Sequence, residues 1–388
     1  MAVFEAHLPL RISAALAALA CSLAAAAQPV GTEDQGAKLL AAGEPSREPL
    51  LPWHGSVFIW DHAVGTQTLG IGEDYQSSNP TYEMTLRLAP RYYFVDDKAL
   101  SVSLRADARL LREFTNSDTT TERGEWTFLD TELWLAEVLK LRDTPGRHTE
   151  LVFRAPLLVL PTSKASYKSG RTVGLGLGIG LDQDVPLRGE AATLLPSLKL
   201  RPRLTYTYQF ANSIVATSDE IDRIRLDPDG RALPSDQLSG SALSQHQLSA
   251  TLSIDTQVLE ELSLVTEFGM RYAHRYALPE SVDLCGVVAT GCVMVPSSPE
   301  PSRWGVQTLF AVSLGYSPLD YLELSLGYGN LAPQLGADGR RRNYFYSPYA
   351  QASLDFTVAL DLLYQRALGG KPAAESLHTA TLLGEPRL

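Results

Sequence analysis

The chain has 388 residues, 45% of them hydrophobic and 20% charged, with a formal net charge of −11 at pH 7. An acidic balance of that size offers no basic stripe for phosphate backbones, which excludes nucleic acid as a partner. Beyond the amino terminus no run reaches the roughly 18 apolar residues of a membrane helix, so any residence in a membrane has to be through strands.

Arg11 opens an alanine-rich apolar run from Ile12 to Ala27, and Ala25-Ala26-Ala27 before Gln28 has the small-residue pattern of a cleavage site. Residues 1–27 therefore read as a cleaved secretory signal peptide, which removes Cys21. A lipoprotein cut before Cys21 lacks the usual leucine in Ala18-Leu19-Ala20. Gln28–Pro52 is polar and aperiodic, so residues 28–55 read as a flexible periplasmic arm or partial plug.

From Ser56 the pattern changes to strict alternation, clearest in Ala99–Arg112, where Leu100, Val102, Leu104, Ala106, Ala108 and Leu110 interleave with Ser101, Ser103, Arg105, Asp107 and Arg109. Period two is the signature of a strand with one apolar and one charged face. A weaker strand spans Ser56–Leu69; the others are Tyr82–Phe94, Ala99–Arg112, Trp126–Leu141, His148–Leu160, Arg171–Asp184, Leu198–Ile214, Ser244–Val258, Leu262–Tyr276, Trp304–Tyr316, Tyr321–Leu331 and Tyr344–Leu363. The sum is about twelve, with no convincing helix between them, and predicts an all-β fold: a transmembrane antiparallel β-barrel over residues 56–364, wound as an up-and-down meander.

Connection lengths agree. Val95–Lys98, Arg142–Arg147, Leu259–Glu261 and Ser317–Asp320 are short, and Glu113–Glu125, Pro161–Gly170, Val215–Leu243, Ala277–Arg303 and Ala332–Asn343 are long, in alternation; Val185–Ser197 is the one long connection on the short-turn side. Short turns face the periplasm in such barrels. Both termini fall on that side, including a flexible tail over residues 365–388. Aromatic residues mark two girdles at headgroup level, with Trp126, Tyr206, Tyr208, Phe210, Tyr272, Tyr276, Trp304, Tyr328, Tyr344 and Tyr346 outside and Tyr92, Phe94, Tyr316 and Tyr364 at the periplasmic ends.

Alternation also sorts the lumen. Arg87, Arg91, Arg105, Asp107, Arg109, Glu132, Arg201, Arg203, Glu267 and Arg271 fall inward and are the candidate lumen-lining, selectivity-setting residues. Arginines 87, 91, 105 and 109 form a ladder on neighbouring strands, suited to carboxylates or phosphates because guanidinium forks hold such groups in fixed geometry; pairing with Glu83, Asp130 or Glu132 is the structural alternative. In Val173–Gly180 the G-x-G-x-x-G spacing is absent, so a nucleotide loop is excluded. Its four glycines point inward and leave room for large neighbours.

Asp227-Pro228-Asp229-Gly230 lacks the further ligands of a calcium loop and reads as an exposed turn. Cys285 and Cys292, separated by GVVATG, are the cysteines left after processing and are expected to form a disulfide in an outer loop. No metal site and no cofactor is expected.

These features resemble bacterial outer-membrane barrel proteins of the porin-like or putative transporter type, from Ser56 onward and at the level of architecture. The resemblance implies a channel, passive or weakly selective, for small polar or charged solutes, in the cell outer membrane. Its expected partners are outer-membrane lipid, lipopolysaccharide and the barrel-assembly machinery. One constellation resembles outer-membrane phospholipase A: extending the register of the Leu259–Glu261 hairpin places His246 opposite His274 on the lipid-facing side, with Ser244 two residues away and Asn212 ending the preceding strand in the same orientation.

That resemblance implies Ser244 as nucleophile, His246 as base and Asn212 as the group orienting the imidazole. The order is Ser-x-His where the family has His-x-Ser, and the amide precedes the pair. A barrel presenting Val215–Leu243 and Ala277–Arg303 at the cell surface without conducting is the third reading.

Overall fold

The computed structural model describes residues 51–66, 68–69, 81–115, 124–144, 147–185, 197–214, 242–259, 261–278, 281–283, 294–296, 303–335 and 339–368. The expected signal peptide, residues 28–50, the turn expected at Asp227–Gly230, Cys285 and Cys292 and the end of the tail lie outside them. Among the described residues are β1 (Val57–Gly65), β2 (Tyr82–Ala89), β3 (Arg91–Asp96), β4 (Leu100–Glu113), β5 (Trp126–Phe128), β6 (Thr131–Thr144), β7 (Arg147–Leu160), α1 (Lys164–Lys168), β8 (Arg171–Asp184), β9 (Ser197–Ala211), β10 (Ser244–Leu259), β11 (Leu262–Arg275), β12 (Ser281–Asp283), β13 (Met294–Pro296), β14 (Trp304–Leu319), β15 (Leu322–Pro333), β16 (Ala350–Ala359) and α2 (Leu360–Ala367).

Apart from the two-stranded sheet of β12 and β13, every strand joins one sheet, and each pairing within it is antiparallel. β2 and β3 are halves of one stave, broken at Pro90, and β5 and β6 are halves of another. Proline has no N–H to give a ladder. The break is spanned because the Pro90 carbonyl accepts from the Ala106 N–H at 3.1 Å. Counted as staves, the sheet is a closed twelve-strand up-and-down barrel, sealed where β1 pairs both β16 and β2 and where β2 and β3 both pair β4.

Burial sorts the two faces. The charged positions of β4, β9, β10 and β16, among them Arg105, Asp107, Arg201, Asp255 and Asp355, are buried, whereas Leu104, Leu204, Leu252 and Leu354 on the opposite face are exposed. A soluble sheet has the reverse distribution; apolar side chains facing out and charges facing in are the arrangement of a lipid-facing wall around a polar interior.

Three stretches differ from the sequence expectation. The last strand begins at Ala350, not Tyr344, and ends at Ala359, after which Leu360–Ala367 is helical. Strand pattern fails there because α2 is held by tertiary contacts: Leu362 is buried, the Leu360 N–H donates to the Ser56 carbonyl at 2.9 Å, and the Gly55 N–H donates to Asp361 Oδ2 at 3.1 Å. Residues 365–367 of the expected flexible tail thus belong to a helix.

The end of the expected arm, residues 51–55, is a turn packed on β3. His54 stacks on Tyr93 at 3.9 Å, the Tyr93 N–H donates to the Pro52 carbonyl at 2.7 Å, and Gly55 takes φ +71° beside the Arg91 guanidinium.

The third stretch is 339–349, where the chain folds back on the outer wall. Asn330 shares the outward parity of Leu326, yet is 0% exposed against 62%. Its amide Nδ2 donates to the Tyr344 carbonyl at 2.9 Å and its Oδ1 accepts from Ser347 Oγ at 2.5 Å. Phe345 packs edge-on against Phe310 at 4.9 Å, and Tyr344 Oη joins the Gly269 N–H and carbonyl at 3.0 and 2.9 Å. A backbone laid against lipid must satisfy its polar groups within the protein, and Tyr328, Asn330 and Tyr344 do this for the strap.

Candidate functional site

The lumen is built by the inward face of every stave. On the β2–β3–β4 wall the ladder register sets Arg87 opposite Arg109 and Arg91 opposite Arg105. Four guanidinium groups so close together require a counter-charge, and Asp107, 1% exposed, supplies it. Arg87 Nη2 lies 2.5 Å from Asp107 Oδ2, and Arg109 donates through Nε and Nη2 to both carboxylate oxygens at 3.0 and 2.9 Å. Arg105 Nε donates to Ser103 Oγ at 3.1 Å, and Ser56 Oγ accepts from the Arg91 N–H at 3.0 Å. Asp107, within the ladder itself, is therefore the partner of Arg87 and Arg109. Of the three carboxylates offered by sequence, Asp130 instead ties down α1, accepting from Ser163 N–H at 3.1 Å and Ser166 Oγ at 2.5 Å.

A second ionic cluster sits on β8, β9 and β10. Arg201 Nε pairs with Asp255 at 2.8 Å, Arg203 pairs with Asp182, and Arg203 Nη1 donates to the Leu181 carbonyl at 2.9 Å. The glycine run explains why this cluster fits: a Cβ at Gly180 would overlap the Arg203 side chain, one at Gly176 would meet Thr207 and Leu157, and one at Gly174 would meet Gln209 and Val159. Bare backbone on β8 is thus the trough into which neighbouring staves lay their side chains.

Glu267 is buried on β11, Arg271 lies four residues further out on the same inward parity, and Glu132 lies on the inward face of β6. β6 and β11 are separated by β7, β8, β9 and β10 in the barrel. Their inward charged groups, Arg271 and Glu132, therefore face the interior from opposite walls. On β6, Glu132 lies near the outer end of the inward face.

Just inside it is an apolar cluster that charge patterning overlooked: Trp134, Ala136 and Leu157 are buried together, with the Arg154 guanidinium 5.7 Å from the Trp134 ring centroid. Trp134 shares the parity of Glu132 and was readable as inward from alternation alone. Leu157 was not, because a bulge between Arg154 and Leu157, containing Pro156, resets the parity of β7. Asp182 was readable by continuing the Gly174–Gly180 alternation by one step.

The lipid-facing Ser/His/Asn arrangement is not assembled. His246 does pair with His274, as expected, but a register shift between Ser244 and His246 sets Ser244 opposite Arg275. The extra residue, Gln245, moves Ser244 onto the lumen-side parity, away from His246. His246 Nδ1 lies 2.8 Å from Tyr206 Oη, and Asn212 donates its backbone N–H to the Gly170 carbonyl at 2.7 Å beyond the end of β9. Among the described residues no group of three or more His, Cys, Asp and Glu side chains could hold a metal ion. Cys285 and Cys292 fall outside the described residues, between β12 and β13.

No family model matches the chain, and no curated protein matches it by sequence. Solved structures similar in fold include an outer membrane channel from Pseudomonas putida F1, at 10% identity over 81% of this chain and 99% of that chain with a TM-score of 0.46. The KdgM porin is similar at 7% identity, covering 78% of this chain and 99% of that one, with a TM-score of 0.33. An outer membrane phospholipase of Salmonella typhi, solved as a calcium-bound dimer, is similar at 11% identity over 81% and 94% with a TM-score of 0.32. The chain is a closed twelve-stave up-and-down barrel, and its likeness to these proteins is one of architecture.

Proposed function

We propose that the protein is an outer-membrane channel, passive or weakly selective, for small polar or charged solutes. The observation that carries this reading is a closed twelve-stave barrel whose inward face is charged, with Glu132 on β6 and Arg271 on β11 facing the interior from opposite walls. A barrel of about eight staves is filled by its own side chains, and one of about sixteen leaves an aqueous pore. At twelve staves the cross-section is set by the side chains that reach inward, and opposed charges there form a constriction that polarises whatever passes.

The ion pairs on the β4 and β9 walls hold their guanidinium groups fixed, so a permeating anion meets positioned donors, and small cations meet the carboxylates between them. Export by cleavage after Ala27 and assembly into the outer membrane complete the reading.

The test is conductance of the purified full-length mature protein in a planar bilayer. Discrete steps whose size changes in Glu132→Gln and Arg271→Gln support the channel. A folded barrel that stays silent across the accessible voltage range overturns it.

A further inference from the structure

The outer ends of β2, β4 and β5 hold a cation that the lumen does not use. The register pairs Arg112 with Met84 on β2 and with Trp126 on β5, and Leu110 with Leu86 and Phe128. Arg112 therefore ends the outward column of β4 that runs through Leu104, Ala106, Ala108 and Leu110. Its guanidinium carbon lies 5.1 Å from the Phe114 ring centroid and 5.3 Å from that of Trp126. Both rings are exposed, and Tyr82, also exposed, stacks on Phe114 at 5.2 Å and places its Oη 3.1 Å from His62 Nδ1 on β1. A row of rings across adjacent staves at the outer end of the wall marks the headgroup level.

The carboxylates nearest in the ladder face the other way. Glu83 stands opposite Glu113, one position along from the Met84–Arg112 pair, which puts both on the lumen side. Glu113 Oε1 accepts from Thr115 Oγ1 at 2.5 Å, and Glu125, the residue before Trp126, pairs with Lys164 at 2.9 Å. Among the described residues the Arg112 side chain has neither an ion pair nor a hydrogen bond, and its Nε is buried without a partner. Aromatic rings attract a guanidinium through their faces but accept none of its in-plane N–H donors, so its charge and its hydrogen bonds are left to be met by an anion. The position selects the ligand. The wall below Arg112 faces lipid, and a long cationic side chain at its end reaches the height where acyl chains give way to headgroups, so the anion that arrives there is attached to a lipid.

We infer that Arg112 binds the phosphate of an outer-leaflet lipid, its planar N–H fork gripping the phosphate oxygens while Phe114, Trp126 and Tyr82 pack against the apolar part of the same molecule. The site lies on the outer wall and is independent of whether the lumen conducts.

The experiment uses the folded mature barrel in detergent and follows its heat-induced unfolding on gels while lipid A is added. Phosphorylated lipid A should raise the unfolding temperature in a saturable way, and dephosphorylated lipid A or inorganic phosphate at equal concentration should not. Arg112→Gln should raise the half-saturating concentration at least fivefold. Arg112→Lys, which keeps the charge but not the planar fork, should lose less, and Lys140→Gln at the periplasmic end should respond as the parent does. Unfolding without lipid checks that each variant forms the barrel. No stabilisation by lipid A overturns the inference, as does an equal response to phosphorylated and dephosphorylated lipid, the result expected of an arginine that only reaches into water. An undiminished response in folded Arg112→Gln overturns it equally. A response to inorganic phosphate matching that to lipid A would identify a free-anion site and overturn the lipid assignment.

Discussion

The two sides of the barrel are built differently although their lipid-facing surfaces are alike. From β14 through β15 and β16 to β1, four consecutive staves contain neither lysine nor arginine, and their inward positions are mainly small, as at Ala311, Ser313, Gly327, Gly329 and Ser353. The walls of β2–β4 and β8–β9 carry most of the lumen arginines, with Arg87 and Arg109 matched to Asp107 and Arg201 and Arg203 matched to Asp255 and Asp182. The long cationic side chains therefore enter the interior from one side. Lipid constrains the outward face everywhere, while the lumen face is free to differ from stave to stave.

The largest effect should come from breaking the charge balance of the arginine wall. Asp107→Ala removes the carboxylate that serves both Arg87 and Arg109. Leaving buried charges without their partner costs on the order of 3–5 kcal/mol, so urea unfolding in lipid vesicles should shift by that amount. A shift below about 1 kcal/mol would mean that water reaches the ladder and the wall is not packed.

Next are the outward positions, where the two sides should behave alike. Leu104→Arg on the arginine wall and Phe356→Arg on the cation-free side both put charge into lipid, at about 2–4 kcal/mol near the midplane. Ser103→Arg would test the opposite face of the same stave. Equal tolerance at positions 103 and 104 would invalidate the face assignment.

Glycines then separate the two sides directly. Gly180 and Gly329 both point inward, but a Cβ at Gly180 would strike Arg203, whereas nothing lies within 4 Å of one at Gly329. Gly180→Ala should destabilise by roughly 1–3 kcal/mol through displacement of the Arg203–Asp182 pair. Gly329→Ala should be neutral or stabilise by about 0.5 kcal/mol, since it restricts the unfolded chain at no steric cost. Comparable losses at both sites would mean that the cation-free side is packed as tightly as the other.

Smaller still is the expected change in ion preference. Arg105→Gln with Arg109→Gln removes two fixed positive charges from the lumen, so reversal potentials under a salt gradient should move toward cation preference. Gln351→Glu, on the side without cations, should move them the same way if both walls line the path. Unchanged reversal potentials in the arginine variant would leave the ladder a purely structural element.

Strand identity, stave number and the parity of most charged residues were legible because lipid and water impose period two on every stave. What escaped the sequence arose where that period is interrupted. The bulge at Gln245 moved Ser244 to the other face and dissolved the apparent catalytic trio, and the bulge before Leu157 hid an apolar lumen residue. Residues 344–349 look like a strand because they are rich in aromatic residues, at Tyr344, Phe345, Tyr346 and Tyr349, yet their backbone bonds to Asn330 and Tyr328 as a strap. Helix α2 follows β16 with no turn signal, its start fixed by Ser56 and Gly55 from the far end of the chain. Contacts of that range leave no trace in local pattern.

The smallest expected effect on the barrel, and the sharpest on a single loop, concerns Cys285 and Cys292. β12 and β13 pair in the register Ser281↔Pro296, Val282↔Val295 and Asp283↔Met294. Were that register to continue by two residues, Cys285 would stand opposite Cys292, and directly opposed antiparallel residues have Cα separations of about 4.5–5.5 Å, within the range a disulfide spans. The oxidising side of the inner membrane favours the bond. Closing so short a loop should stabilise the hairpin by about 2–3 kcal/mol while leaving barrel unfolding unaffected, because among the described residues β12 and β13 pair only with each other. Mass analysis of the unreduced, alkylated mature protein should therefore find both thiols blocked from labelling and one intramolecular bridge. Cys285→Ser with Cys292→Ser should speed proteolysis between residues 277 and 303 and leave the heat-modified gel shift of the barrel where it was. Two alkylated cysteines in protein never exposed to reductant would show that the register does not extend to the tip.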